Sequence, residues 1–112
     1  MGMTYMAMHE PQKAYPYLQE AIRKHKTAYN CCQLGIYYAT LGQDKNALEC
    51  YNQAIQIDSN YGRTYFRLGE LYYKHNMREE ARQSYQTFIN LSKNSPQEQN
   101  NISIAITALR NL

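Results

Sequence analysis

The sequence predicts an all-α protein, a right-handed solenoid of helix-turn-helix repeats that ends in a C-terminal capping helix. The first observation is that the chain of 112 residues matches itself when it is shifted by 34 positions. The stretch Leu34-Gly35-x-x-Tyr38 falls on Leu68-Gly69-x-x-Tyr72, and Ala47-x-x-x-Tyr51 falls on Ala81-x-x-x-Tyr85. The second is that the matched apolar positions recur with the period of an α-helix. A fixed period of this length is typical of stacked repeats that bury their apolar faces on one another.

Each complete repeat supplies two amphipathic helices joined by a short turn. In the earlier repeat, the apolar stripe of the first helix is followed by that of its partner helix, which contains Ala47, Leu48, Tyr51, Ala54 and Ile55. Gly42 lies between the two helices, where a left-handed C-cap is expected, and Asp44 stands near the start of the next helix. In the later repeat Asn76, which also tolerates positive φ, replaces the turn glycine.

Gly35 and Gly69 lie inside predicted helices, where glycine costs about 1 kcal/mol relative to alanine. Such a cost is justified if a neighbouring helix presses close at these positions. We therefore expect the backbone of the partner helix to approach both glycines.

The two ends of the chain are predicted to differ from the central repeats. Met1-Gly2-x-x-Tyr5 matches Leu34-Gly35-x-x-Tyr38 at an offset of 33, so the first repeat lacks its opening residues and the chain is expected to be a fragment of a longer array or to have an unusual start. Ser95-Pro96-Gln97-Glu98 has the pattern of a capping box with proline in the first turn. The helix that follows carries an apolar stripe at Ile102, Ala105, Ile106 and Leu109.

These signals predict one domain with four parts. They are a truncated first repeat (1–27), a second repeat (28–61), a third repeat (62–95) and a capping helix (96–112).

Composition favours a globular protein, with 44% hydrophobic and 19% charged residues and a net charge of +3. No apolar run reaches the roughly 18 residues of a membrane span, and no signal peptide is visible. Three cysteines without a C-x-x-C pair favour buried thiols in a reducing compartment. We therefore expect a cytoplasmic location, unless an upstream segment carries a signal.

The sequence contains no recognisable catalytic or metal-binding pattern. Its three histidines are far apart, and neither H-x-x-x-H nor H-E-x-x-H spacing occurs. There is no glycine-rich phosphate loop and no nucleophile motif such as G-x-S-x-G. We expect no enzyme activity, no metal and no cofactor.

The repeated residues resemble the tetratricopeptide repeat (TPR) family over about residues 1–94. Cys31 and Tyr65 stand where a tryptophan is common in that family, and Phe88 stands where a small residue is usual. The resemblance implies paired helices in a superhelix, with the first helix of each pair lining a concave groove. It also implies a function in binding other proteins.

The groove is expected to bind a peptide or helix of a partner protein, so the chain would act as an interaction module or scaffold. The expected contact residues are Tyr29, Gln33, Arg63, Phe66, Arg67, Glu70, Tyr73 and Lys74. Within this set, Gly62-Arg63-x-Tyr65-x-Arg67 resembles the cationic stretch with which some TPR domains hold the C-terminal carboxylate of a chaperone. The partner is therefore expected to be acidic or to offer a free C-terminal carboxylate. Alternatively, Arg67 pairs locally with Glu70.

Two other functions remain open from the sequence. The chain could form homo-oligomers by stacking or swapping helices through its incomplete first repeat. The residues expected to mediate this are Met1, Met3, Tyr5, Met6 and Met8. RNA binding through basic and aromatic residues is the third possibility, and the modest net charge argues against a nucleic-acid partner.

Overall fold

Helices account for all the regular structure in residues 11–112, and no β-strand occurs among them. The computed structural model describes the backbone of these residues and the side chains of residues 15–112. The α-helices are α1 (Pro11–Lys24), α2 (Ala28–Thr40), α3 (Asp44–Ile57), α4 (Gly62–Lys74), α5 (Arg78–Ser92) and α6 (Gln99–Arg110), and a 3-10 turn spans Pro96–Glu98. The predicted all-α class is confirmed. Helices α1 to α3 belong to a compact unit that ends at Ser59, and α4 to α6 belong to a second unit that begins at Asn60.

In the first unit, the boundary between α1 and α2 is held by capping interactions. Arg23 and Lys24 lie in the last turn of α1, where positive charge complements the negative end of the helix dipole. The Thr27 hydroxyl caps α2 by accepting the Asn30 N–H at 3.1 Å. The Asn30 side chain donates to the His25 carbonyl at 2.7 Å. These contacts end one helix and start the next within three residues.

The turns that join α2 to α3 and α4 to α5 have the same backbone geometry. Gly42 has φ = 78° and Asn76 has φ = 61°, so both occupy the left-handed region predicted for them. The residues that follow, Gln43 and Met77, each donate an N–H to the carbonyl of a tyrosine five positions earlier at 2.9 Å. The turn therefore repeats at the 34-residue offset, although glycine occupies its positive-φ position in one copy and asparagine in the other.

Tight packing at the helix glycines involves tyrosine rings. A Cβ atom added at Gly35 would lie 2.5 Å from Cε1 of Tyr51, and one added at Gly69 would lie 2.7 Å from Cδ1 and Cε1 of Tyr85. The expected close approach is present, but the expectation that backbone presses on the glycines is wrong. A flat ring covers the space above each glycine, which brings α2 near α3 in one unit and α4 near α5 in the other.

The second unit has a continuous apolar core shared by its three helices. Its buried members are Phe66, Ala81, Tyr85, Phe88, Ile102 and Ala105. The ring centroids of Phe66 and Phe88 are 5.0 Å apart, and those of Phe66 and Tyr85 are 6.1 Å apart. Aromatic rings at these separations gain about 0.5 to 1.5 kcal/mol beyond simple area burial. Phe88 therefore fills the centre of this core, at a position where the family usually has a small residue.

The capping helix α6 covers this core with part of its predicted stripe. Ile102 and Ala105 are buried as expected, whereas Ile106 is exposed, as is Ile104. The predicted capping box is wrong, because Ser95 makes no side-chain capping hydrogen bond and the first turn is a 3-10 turn. Glu98, expected to complete that box, is buried, and its carboxylate pairs with Arg63 at the start of α4.

Candidate functional site

Helix α4 of the second unit presents a row of polar and aromatic side chains away from the core. Arg63, Arg67, Glu70 and Lys74 follow one another at intervals of three or four residues, so they lie along one face of the helix. Tyr73, beside the end of this row, is 41% exposed. Phe66, Leu68 and Leu71 of the same helix are buried in the protein interior. We call the five exposed or half-buried residues the α4 row: Arg63, Arg67, Glu70, Tyr73 and Lys74.

The middle of the α4 row is held by a local ion pair. Arg67 Nη1 donates to Glu70 Oε1 at 3.0 Å, which confirms the pairing considered from the sequence. The Arg67 guanidinium carbon also lies 5.5 Å from the centroid of the Phe66 ring, within the range of a cation–π contact. These two contacts orient Arg67, although an exposed i,i+3 pair adds less than about 1 kcal/mol to stability.

Arg63, at the start of the row, contacts a carboxylate from a distant part of the sequence. Its Nε donates to Glu98 Oε1 at 3.0 Å and lies 3.4 Å from Oε2. The Glu98 side chain is only 9% exposed, and it belongs to the 3-10 turn that precedes α6. The position predicted to bind a carboxylate therefore holds one from its own chain. No spacing rule in the sequence identifies this pair, because 35 residues separate its members.

A polar cleft borders this ion pair within the second unit. It has a volume of about 310 Å³. Its lining residues are Tyr61, Gly62, Arg63, Leu91, Ser92, Ser95, Gln97 and Glu98. The cleft lies where α4 begins and α5 ends, so a ligand in it would reach both the guanidinium of Arg63 and the carboxylate of Glu98.

Two predicted contact residues are not on the surface. Phe66 is only 3% exposed, because α6 joins α4 and α5 around it. Gln33 is only 4% exposed, because α2 packs against both α1 and α3 in the first unit. Both side chains are thus buried in the described part of the chain, and their contact with a partner stays a prediction. Tyr29, by contrast, is 50% exposed at the start of α2.

The first unit has a larger cleft, of about 530 Å³, that no sequence motif points to. Its lining residues are Pro16, Gln19, Glu20, Ile22, Arg23 and Leu34. Arg23 Nε donates to Glu20 at 3.0 Å, and this contact holds the pKa of Glu20 below its ordinary value. The charges of Arg23 and Glu20, which line this cleft, therefore compensate each other within α1.

The predicted self-association residues, Met1, Met3, Tyr5, Met6 and Met8, lie outside the described residues. Self-association through them stays a prediction.

The described side chains offer little acid–base or metal chemistry. Within residues 15–112 no cluster of three or more histidine, cysteine or acidic side chains could hold a metal ion. Burial raises the pKa of the Cys50 thiol to about 11, with a further contribution from Cys31, so Cys50 is a poor nucleophile at neutral pH. None of the described helices has the length and hydrophobicity needed to cross a bilayer.

Comparison with solved structures shows that the fold is shared with several peptide-bound proteins. The type III secretion chaperone SycD of Yersinia enterocolitica, in complex with a peptide of the translocator YopD, aligns with a TM-score of 0.88 and 17% identity over 98% of this chain and 85% of that chain. PcrH of Pseudomonas aeruginosa, in complex with the chaperone-binding region of PopD, aligns with a TM-score of 0.86 and 20% identity over 98% of this chain and 84% of that chain. The second TPR domain of human RPAP3, in complex with an HSP70 peptide, aligns with a TM-score of 0.73 and 19% identity over 94% of this chain and 88% of that chain.

Family models provide a match at the sequence level. No protein of curated function matches the sequence. A model described as a TPR repeat matches residues 35–76, and one described as a tetratricopeptide repeat matches residues 63–95. Together the two matches cover residues 35–95, which run from Gly35 within α2 past the end of α5 and carry the repeated glycine, tyrosine and alanine positions. The chain therefore belongs to the tetratricopeptide repeat family.

Proposed function

We propose that this chain is a non-catalytic protein-interaction module that binds an extended or helical segment of a partner protein. The observation that carries the proposal is the α4 row, in which charged and aromatic side chains are arranged along one face of a helix that also contributes Phe66 to the core. Three proteins of the same fold have been solved with peptide segments of other proteins bound to them. A helix face of this composition suits recognition of such a segment.

The chemistry of the α4 row indicates the character of the partner. Arg63, Arg67 and Lys74 carry positive charge, and Glu70 is the one acidic member of the row. Glu98 and Glu70 compensate two of these cations, so the region keeps a small positive charge that favours an acidic segment over a basic one. Tyr73 supplies a large, exposed contact area with few rotatable bonds, a property enriched in residues that dominate binding energy.

The repeat itself separates scaffold positions from binding positions. At the 34-residue offset, Arg63 corresponds to Tyr29 and Tyr73 corresponds to Ala39. Positions that must build the helix pair are alike in both repeats, whereas these exposed positions differ. Tyr29, which is exposed on α2, is therefore the contact that we propose for the first unit.

The proposal is tested by replacing two side chains of the α4 row that are not themselves buried in the core. The wild-type chain is used to capture proteins from a cell extract, and these are identified by mass spectrometry. The double variant Arg67→Glu/Tyr73→Ala should fail to capture the same proteins. The expected loss of affinity is at least about tenfold, as for residues that dominate an interface. Arg63 is left intact because its pairing with Glu98 contributes to the structure of the second unit.

A matched control is available on helix α5. Arg82 pairs with Glu79 three positions earlier, just as Arg67 pairs with Glu70. The variant Arg82→Glu/Gln86→Ala therefore makes the same charge change and breaks the same kind of ion pair outside the α4 row. It should capture the same proteins as the wild type. Equal capture by both double variants and the wild type would rule out the α4 row as the binding surface.

A further inference from the structure

The pair formed by Arg63 and Glu98 differs in kind from the other arginine pairs described above. Arg67 with Glu70 and Arg82 with Glu79 each join residues of one helix three positions apart. Arg63 and Glu98 join the first turn of α4 to the 3-10 turn before α6. The Glu98 carboxylate is largely removed from water while the Arg63 side chain is 45% exposed, so the cation faces solvent and its counter-ion does not.

The ion pair is accessible from outside because it borders the polar cleft of the second unit. Ser95 and Gln97 bring a hydroxyl and a carboxamide to the lining of that cleft, beside Arg63. These groups can donate hydrogen bonds to carboxylate or peptide oxygens. A segment entering the cleft with a carboxylate would therefore meet a guanidinium and additional donors at one place.

Glu98 occupies a short element that can shift without unwinding a long helix. It ends a three-residue 3-10 turn, in which its own N–H donates to the Ser95 carbonyl at 3.1 Å. The Gln99 side chain donates to the same carbonyl at 3.1 Å. The carboxylate can leave Arg63 by rotation of the Glu98 side chain or by a shift of this turn, and in both cases α5 and the body of α6 keep their hydrogen bonds.

We propose that Glu98 is an internal carboxylate that holds Arg63 in the unbound protein and is replaced there by a carboxylate of an acidic partner segment. This inference rests on the proposed function, since the α4 row begins at Arg63. The charge of the Arg63 guanidinium stays compensated in this exchange, because one carboxylate leaves as another arrives. The displaced Glu98 carboxylate becomes hydrated. Since Glu98 competes from within the same molecule, it lowers the apparent affinity for acidic segments and selects against weakly acidic ones.

The test compares binding of an acidic nonapeptide, SGPTIEEVD with a free C-terminus, to the wild type and to Glu98→Gln by fluorescence anisotropy. Glutamine keeps the size of the side chain and removes its charge, so the variant should bind the peptide at least about fivefold more tightly. Adding Arg63→Gln to Glu98→Gln should abolish this gain. The control Glu79→Gln makes the same change in net charge on α5 and should leave affinity at the wild-type value.

Two results would overturn the inference. One is an affinity of Glu98→Gln no higher than that of the wild type, including no binding by either. The other is an equal gain in Glu79→Gln, which would show a general effect of net charge. Neither result bears on the proposed function, which is decided by the Arg67→Glu/Tyr73→Ala variant with Arg63 and Glu98 intact.

A measurement on the wild type decides the matter if Glu98→Gln does not fold. The 13C chemical shift of the Glu98 side-chain carboxylate should move toward that of a hydrated glutamate when the peptide is added, because the carboxylate leaves Arg63 for water. A carboxylate shift that is unchanged at saturating peptide would overturn the inference.

Discussion

Replacing Gly69 by alanine tests how closely α4 and α5 pack in the second unit. The new Cβ atom would lie 2.7 Å from both Cδ1 and Cε1 of Tyr85 and 2.9 Å from its Cζ. Carbon atoms pack at about 3.5 to 4.0 Å, so three ring atoms are too close by about 1 Å. The Tyr85 ring cannot swing aside because it is buried among Phe66, Phe88 and their neighbours.

The expected cost follows from two opposing effects. Forcing one additional carbon into a packed core costs about 1 to 3 kcal/mol. Alanine recovers about 1 kcal/mol in helix propensity relative to glycine. We therefore expect Gly69→Ala to lower the free energy of unfolding by up to about 2 kcal/mol, whereas the same change in an exposed helix raises it.

The assay is urea unfolding followed by circular dichroism, on Gly69→Ala, Tyr85→Leu and the double variant. Leucine removes the Cε1 and Cζ atoms, so the double variant should be more stable than the sum of the single effects predicts. Effects that add to within about 0.5 kcal/mol would show that the ring does not limit the space at residue 69. A stabilising effect of Gly69→Ala alone would refute the packing argument directly.

Two further predictions concern the turn and the buried tyrosine of the second unit. Residue 76 has positive φ, so Asn76→Gly should preserve or raise the free energy of unfolding, and Asn76→Ala should lower it by about 1 kcal/mol. Equal stability of the two variants in urea unfolding would contradict this prediction. Burial, with a smaller contribution from Glu70, raises the pKa of Tyr85 from 10.0 to about 12. The unfolded chain therefore releases this proton at lower pH, so the free energy of unfolding should fall as pH rises from 10.0 to about 12, and Tyr85→Phe should reduce that slope; an unchanged slope would argue against it.

Local signals in the sequence were sufficient to predict the helices and the turns at Gly42 and Asn76. Gly42 and Asn76 could be identified because positive φ has a strong residue preference, which does not depend on the rest of the fold. The pairing of Arg67 with Glu70 is likewise local, since it depends only on helix geometry.

The remaining site features depend on tertiary packing, which local patterns do not contain. Phe66 does not share a helix face with the repeated positions Leu68 and Tyr72, and a third helix widens the buried face of α4 enough to cover it. Glu98 was expected to cap its own helix, but a guanidinium 35 residues away offers a stronger interaction for its charge. Gln33 is buried because α2 has a neighbour on two sides, a fact that the period of one helix cannot reveal.

The glycine–tyrosine contacts have a consequence for how such chains grow and diverge. Tyr51 follows Gly35 by 16 residues, and Tyr85 follows Gly69 by the same interval, so both members of each contact lie within one helix pair. A tandem duplication of 34 residues copies the ring together with the gap that receives it. Later enlargement of either glycine requires a compensating reduction of its own tyrosine. These positions should therefore change as linked pairs during evolution, while the exposed residues of α2 and α4 diverge independently.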